Sequence, residues 1–220
     1  MGLKLEDHVF RILQNQKKLG EYLGEHQWSF NMDKGLLTFF DKQGKVLIEF
    51  PVQIIGTEGY KANTWLWSWA NTKSNIPDNL LVAANTIKEA GTKENLDQFT
   101  KAELPLEPNL GVNLSIISAG YLGHFAYFPC KYEGGCMYVT IEKPPVSINN
   151  VTDFQTVFST LRMGMSSFKM NQKQAVMAYL GDKFTILEPN KFKWDLDTGS
   201  VEIQFEENNS IKEFKASPKK

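Results

Sequence analysis

Between residues 27 and 71 the chain alternates apolar and polar residues in short runs, and a turn signal closes each run. Alternation with a period of two puts successive side chains on opposite faces of a strand, so a slip of one residue turns the whole strand over. The turns therefore constrain the fold more than any other feature. Met32-Asp33-Lys34-Gly35, Asp41-Lys42-Gln43-Gly44 and Gly56-Thr57-Glu58-Gly59 each read as hairpin turns. With tight loops at Asp33-Lys34, Lys42-Gln43 and Thr57-Glu58, Trp28 and Phe30 share a face with Leu37 and Phe39. The same face then runs through Val46, Ile48, Phe50 and Val52 to Trp65, Trp67 and Trp69. Independent turns agreeing on one apolar face predict a four-stranded antiparallel meander. Its other face is wetter, with Ser29, Asn31, Thr38, Glu49, Gln53, Thr64 and Ser68.

Trp65, Trp67 and Trp69 fall at every second position, which in a strand aligns their indoles on one side. An aromatic ladder on the face that also carries Val46, Ile48 and Phe50 reads as packing, so Trp28, Phe30, Phe39, Ile48, Phe50 and the three indoles form the expected core. A buried indole N–H needs an acceptor. Asn63 and Asn71, at the two ends of the ladder, are the candidates, and a cleft near Asn71 and His26 is the expected ligand site.

The apolar stripe Leu5, Val9, Ile12, Leu13 and Leu23 predicts a first helix over 5–25 that covers the ladder. After Ile76-Pro77-Asp78 a helix runs to about Ala90, with Gly91 as its natural stop. A Pro-punctuated connection over 92–108 leads to a short helix at 109–119 and a hairpin of strands at 125–132 and 136–142. Lys143-Pro144-Pro145 marks a boundary between a main unit at 1–143 and a smaller α/β unit at 144–220. In that second unit Thr152 and Gln155 fit a capping box, helices follow up to Leu180, and Gly181 ends the second of them. Short strands close the chain, with Phe192, Trp194 and Leu196 pairing across a Thr198-Gly199 turn with Val201, Ile203 and Phe205. The expected fold class is α+β.

Net charge is −1, with Lys and acidic residues interspersed, so no basic footprint for nucleic acid is present. No apolar run approaches the roughly 18 residues of a membrane span, and the charged start is not a secretory signal. A cytoplasmic location is expected. Cys130 and Cys136 supply neither a zinc set nor a disulfide framework, and they read as free thiols. No metal or cofactor is expected.

Asp197-Thr198-Gly199-Ser200 looks like an aspartic-protease signature. That chemistry needs two such aspartates sharing a proton, and the chain after Ser200 is too short to complete a lobe, so a hairpin turn is the better reading. His8, His26 and His124 lack metal-ligand spacing. His124 beside Tyr121 and Tyr127 is the strongest of them as a polar site, and Tyr121, His124, Asn71 and His26 are the candidate ligand-contacting residues. No nucleophile elbow, P-loop or dinucleotide-binding turn is present.

The stretch Thr64-Trp65-Leu66-Trp67-Ser68-Trp69-Ala70-Asn71, followed by Ile76-Pro77, resembles a bacterial family of unknown function built on a Trp-x-Trp-x-Trp-Ala-Asn strand and a following helix. The resemblance implies a bacterial cytoplasmic protein and brings no catalytic residues. Some proteins of similar build are immunity partners of secreted toxins. The expected function is a non-enzymatic module that binds another protein, with a toxin-neutralising role as one form of it; a purely structural subunit of a homo-oligomer is a separate reading. The rival expectation is a small-ligand binder or enzyme with a cleft at the end of the ladder.

Overall fold

The computed structural model describes residues 2–146, 148 and 153–219. A 3-10 turn at Leu5–Asp7 leads into helix α1, Val9–Leu23, whose buried Val9, Ile12, Leu13 and Leu23 keep the spacing seen in the sequence. Strands β1 (Gln27–Asn31), β2 (Leu36–Phe40), β3 (Val46–Gly59) and β4 (Thr64–Trp67) follow as an antiparallel meander. Helices α2 (Val82–Lys93) and α3 (Asp97–Thr100) lead to β5 (Glu103–Pro105), which pairs with β4. Helix α4 (Leu110–Tyr121) precedes the hairpin of β6 (Ala126–Tyr132) and β7 (Gly135–Ile141). Because β7 pairs with the long β3, these strands make one seven-stranded sheet. The chain ends with α5 (Phe154–Ser167), α6 (Gln172–Leu180) and strands β8 (Thr185–Glu188), β9 (Lys191–Leu196), β10 (Gly199–Phe205) and β11 (Ile211–Pro218). Those four strands form a second antiparallel sheet in the order β11-β10-β9-β8. The class is α+β. Among the described residues no helix is long and apolar enough to cross a membrane.

The meander keeps the first expected register and departs from the other two. Trp28 pairs with Phe39 and Phe30 with Leu37, as tight turn geometry requires. Between β2 and β3 the pairing moves by two residues, to Phe39 with Ile48 and Leu37 with Phe50. An even shift leaves the faces unchanged. A bulge absorbs it, so that Phe40 pairs with Val46 and Leu47 is the extra residue. Val46, expected on the apolar face, is 48 % exposed.

The third turn is not at Thr57-Glu58. β3 continues to Gly59, and the chain reverses over residues 60–63, with Asn63 in the left-handed region at φ 55°. More consequential is a second bulge in β3. Ile54 faces Val139 and Gly56 faces Tyr138, so Ile55 is inserted between them and the strand changes which side it presents. Leu37, Phe39, Phe50, Val52 and Ile54 then share a core with Val139 and Ile141. Ile55, Trp65 and Trp67 belong to a different core, with Phe99, Leu114 and Tyr138. The single apolar face is corrected to two buried faces joined by a bulge.

Trp65 and Trp67 are fully buried, with their rings edge to face at 5.4 Å. Trp69 leaves the strand for a 3-10 turn, Ser68–Ala70, where it is half-buried under the Lys88 ammonium, 3.9 Å from its ring centroid. Trp28, Phe30 and Ile48 are also only half-buried, being near the end of the sheet. The indole of Trp67 donates to the Gln98 carbonyl at 3.0 Å, so α3, rather than Asn63 or Asn71, supplies that acceptor. Phe99 of α3 packs directly on Trp67, α2 and α4 lie on β3, and α1 joins the same buried cluster through Val9, Phe10, Ile12 and Leu13. α1 lies against α4, α5, α6 and β6.

Gly91 is interior to α2 rather than its stop. It is buried because Phe99 packs where a Cβ would stand, and the left-handed residue after the helix is Asn95, at φ 54°. In the β6–β7 hairpin Cys130 pairs with Met137 and Lys131 with Cys136, which sends the buried thiols to opposite faces and opposite cores. Thr152 of the expected capping box lies outside the described residues; Asp153 caps α5, its Oδ1 accepting from the Thr156 amide at 2.6 Å. Leu196 pairs with Gly199, so the β9–β10 turn is Asp197-Thr198, and Thr198 Oγ1 accepts from the Phe154 amide at 2.9 Å. Val157, Leu161, Val176 and Trp194 sit in the same buried cluster as Val9, Phe10 and Trp65.

Candidate functional site

The four residues expected to meet a ligand do not converge. His26 rests its ring edge on Phe39 at 5.1 Å, with Nδ1 2.8 Å from the Gly24 carbonyl oxygen. It therefore belongs to the Phe39 core, on the other side of the sheet from the indoles that Asn71 follows. Asn71 closes the Ser68–Ala70 turn, its amide donating to the Ser68 carbonyl at 3.1 Å. His124 Nδ1 lies 2.9 Å from Thr140 Oγ1; burial pushes its pKa down, against the pull of Glu142. Tyr121 ends α4, partly buried against the larger core. The bulge at Ile55 comes between the face that His26 joins and the face of the indoles.

A groove instead opens beside the first turns of α4. It consists of two adjoining cavities of about 420 and 510 Å³ that share Glu107 and Asn113. Leu3, Leu114 and Ile117 give the first an apolar floor, with Glu6, Glu94 and Glu107 around it and Lys4 beside them. The second extends past Asn109 to Met165, Phe168 and Lys169.

The start of α4 fixes this geometry. Asn109 takes the left-handed conformation at φ 65° and makes no side-chain cap. The missing cap comes from β3: Glu58 Oε1 accepts from the Gly111 amide at 3.1 Å, a carboxylate placed at the positive end of the helix. Gly111 is required here, since Glu58 and the Tyr138 ring occupy the space of a Cβ. One turn on, Asn113 Oδ1 is buried at the seam of the two cavities, with no hydrogen-bond donor among the described residues. Among the described residues no ion pair engages Glu6, Glu94 or Glu107, although Glu6 Oε1 accepts from the Asn171 amide at 3.0 Å.

Chemically the groove presents acceptors above a hydrocarbon floor, which suits a cationic, donor-rich guest. The two thiols are poor nucleophiles at neutral pH. Burial pushes the Cys130 thiol up to about 12 and the Cys136 thiol up to about 11, away from the thiolate that attacks. Among the described residues no group of His, Cys, Asp and Glu is arranged to hold a metal ion. Sequence reasoning missed the groove because its walls come from segments around residues 3–6, 94–98, 107–117 and 165–169, none of which carries a motif.

Residues 4–144 match the model of the family of unknown function DUF6882, and the chain belongs to that family. No curated protein and no solved structure matches the chain.

Proposed function

We propose that this protein is a binding module for another protein, and that the groove beside α4 receives an extended segment bearing lysine or arginine. The observation that carries the reading is the set Glu6, Glu94 and Glu107, without cationic partners among the described residues, around an apolar floor with the Asn113 Oδ1 acceptor at its seam. An aliphatic stem of lysine or arginine covers such a floor while its charged head stays at the rim. Rim carboxylates contribute modestly, about 0.2–1 kcal/mol each, so selectivity comes from several acting together. A toxin-neutralising role is one form of this binding, and it requires the toxin to present such a cationic segment.

The test is titration calorimetry with a panel of extended nine-residue peptides that place two lysines or arginines among aliphatic residues. The reading expects at least one to bind with an affinity that falls with salt, and to lose at least about tenfold against the double variant Glu94→Lys, Glu107→Lys. Binding that ignores both salt and the charge reversal, or no binding by any of the panel at millimolar concentration, overturns it.

A further inference from the structure

Another cavity, of about 300 Å³, is lined by residues around the start of α1 and by residues of the C-terminal unit, and shares no lining residue with the groove. Its walls divide by chemistry. Ala178, Leu180 and Leu196 are apolar, and Asp7 and Arg11 carry opposite charges one turn apart along the start of the chain. Opposite charges at that spacing commonly pair with each other. Here they do not: among the described residues no ion pair within 4.0 Å engages either.

Each is held by the fold instead. Asp7 Oδ2 accepts from the Gly2 amide at 2.9 Å. One Arg11 nitrogen, Nη2, donates to the Gly120 carbonyl at 2.6 Å, a cation placed at the C-terminal end of α4. Close approach there depends on Gly120, whose missing Cβ leaves room for the His8 ring. Arg11 Nε is buried, with no acceptor among the described residues, and burial without a carboxylate beside it pushes the guanidinium pKa down. Tyr179 closes the far side, its hydroxyl donating to Gln14 Oε1 at 2.8 Å.

We infer that this cavity is a binding site for a free α-amino acid with an aliphatic side chain. Its carboxylate meets the Arg11 guanidinium, its ammonium meets Asp7, and its side chain lies on Leu180 and Leu196. A plain anion would face the Asp7 carboxylate and a plain cation the Arg11 guanidinium; a zwitterion satisfies both. The volume is at the lower end of the roughly 300–1,000 Å³ range of small-molecule sites, which restricts the guest to a single residue.

The experiment is titration calorimetry of L-leucine into the full chain, beside leucinamide, which lacks the carboxylate, and 4-methylpentanoate, which lacks the ammonium. One-to-one binding of L-leucine is expected, with each truncated analogue at least about tenfold weaker, since each loses a charge-assisted contact. Asp7→Asn keeps an oxygen for the Gly2 amide while removing the charge, and it should weaken L-leucine by a similar factor while strengthening 4-methylpentanoate, which no longer faces a like charge. An absence of heat with millimolar L-leucine overturns the inference. So does equal binding of leucinamide, which would show that Arg11 serves only to cap α4.

Discussion

Replacing Gly56 by alanine tests the bulge that divides the two cores. A Cβ at this position would stand 2.7 Å from Trp65 Cε2, closer still to Cζ2, and 2.8 Å from the Leu66 carbonyl oxygen. Neither neighbour has room to yield. The Trp65 ring is fully buried, fixed by Trp67 at 5.4 Å and Tyr138 at 5.6 Å, and the other obstacle is backbone. Overpacking of this kind costs about 1–3 kcal/mol, and two immovable obstacles argue for the upper end. Alanine in a strand regains about 0.5–1 kcal/mol of backbone entropy over glycine, which leaves a net loss of about 2 kcal/mol. For a chain of this size that lowers Tm by roughly 4–8 °C. Gly20→Ala is the control. Gly20 is exposed in α1 with nothing within 4 Å of its would-be Cβ, so the same substitution should raise stability by about 1 kcal/mol. Calorimetric or circular-dichroism melts of both variants give the answer. If Gly56→Ala melts at or above the wild type, the Trp65 ring does not cover Gly56 and the inserted Ile55 is misassigned.

Base titration should expose the thiols. Both folded pKa values, about 12 for Cys130 and about 11 for Cys136, exceed the ordinary 9.0, so stability is complete below pH 9 and declines as the unfolded thiols ionise above it. The limiting slope is about 1.4 kcal/mol per pH unit for each thiol, readable from urea midpoints, and Cys130→Ala should make the decline shallower. At pH 8 neither thiol should react with a disulfide reagent until the chain unfolds; rapid native labelling contradicts their burial. On the acid side, burial pushes the pKa of His8 down, so the folded chain binds fewer protons than the unfolded one below about pH 6.5 and loses stability there. His8→Gln should flatten the profile between about pH 5 and 7, and an unchanged slope would place its origin elsewhere. Trp67→Phe removes the donor to the Gln98 carbonyl, whereas Trp65 Nε1 has no acceptor among the described residues. The Trp67 variant should therefore cost roughly 1 kcal/mol more than Trp65→Phe in chemical denaturation, and equal costs would deny that hydrogen bond any weight.

Periodicity made the helices and the first hairpin legible, because those signals are local. The stripe Val9, Ile12, Leu13 and Leu23 needs only the helical repeat to declare its buried side, and Trp28 opposite Phe39 needs only a tight turn. Gly91 and Thr57-Glu58 misled for the same physical reason. Glycine signals both a turn and a close approach, and sequence alone cannot tell which neighbour approaches. Gly91 makes room for Phe99, and Gly56 for Trp65, where each had looked like punctuation. The inserted Ile55 was invisible because an apolar residue beside apolar Ile54 breaks no pattern unless the partner strand β7 is known.

The two proposed sites were harder to read for a further reason, which also separates them. A cavity is made where distant segments fail to fill space, and no local pattern encodes that failure. Only residue type could have hinted at it: Arg11 and Arg162 are the arginines of a chain whose other cations are lysines. A lysine could cap α4, but its single ammonium could not also present a planar fork to a carboxylate. The charged side of the Arg11 cavity, Asp7 and Arg11, lies inside the family match, and its apolar side, Ala178, Leu180 and Leu196, lies beyond it. The acidic half of the groove lies within the match apart from Leu3. The acidic half of the groove can therefore be a property of the family module, whereas its wall at residues 165–169 and the hydrocarbon wall of the amino-acid site both come from beyond the match.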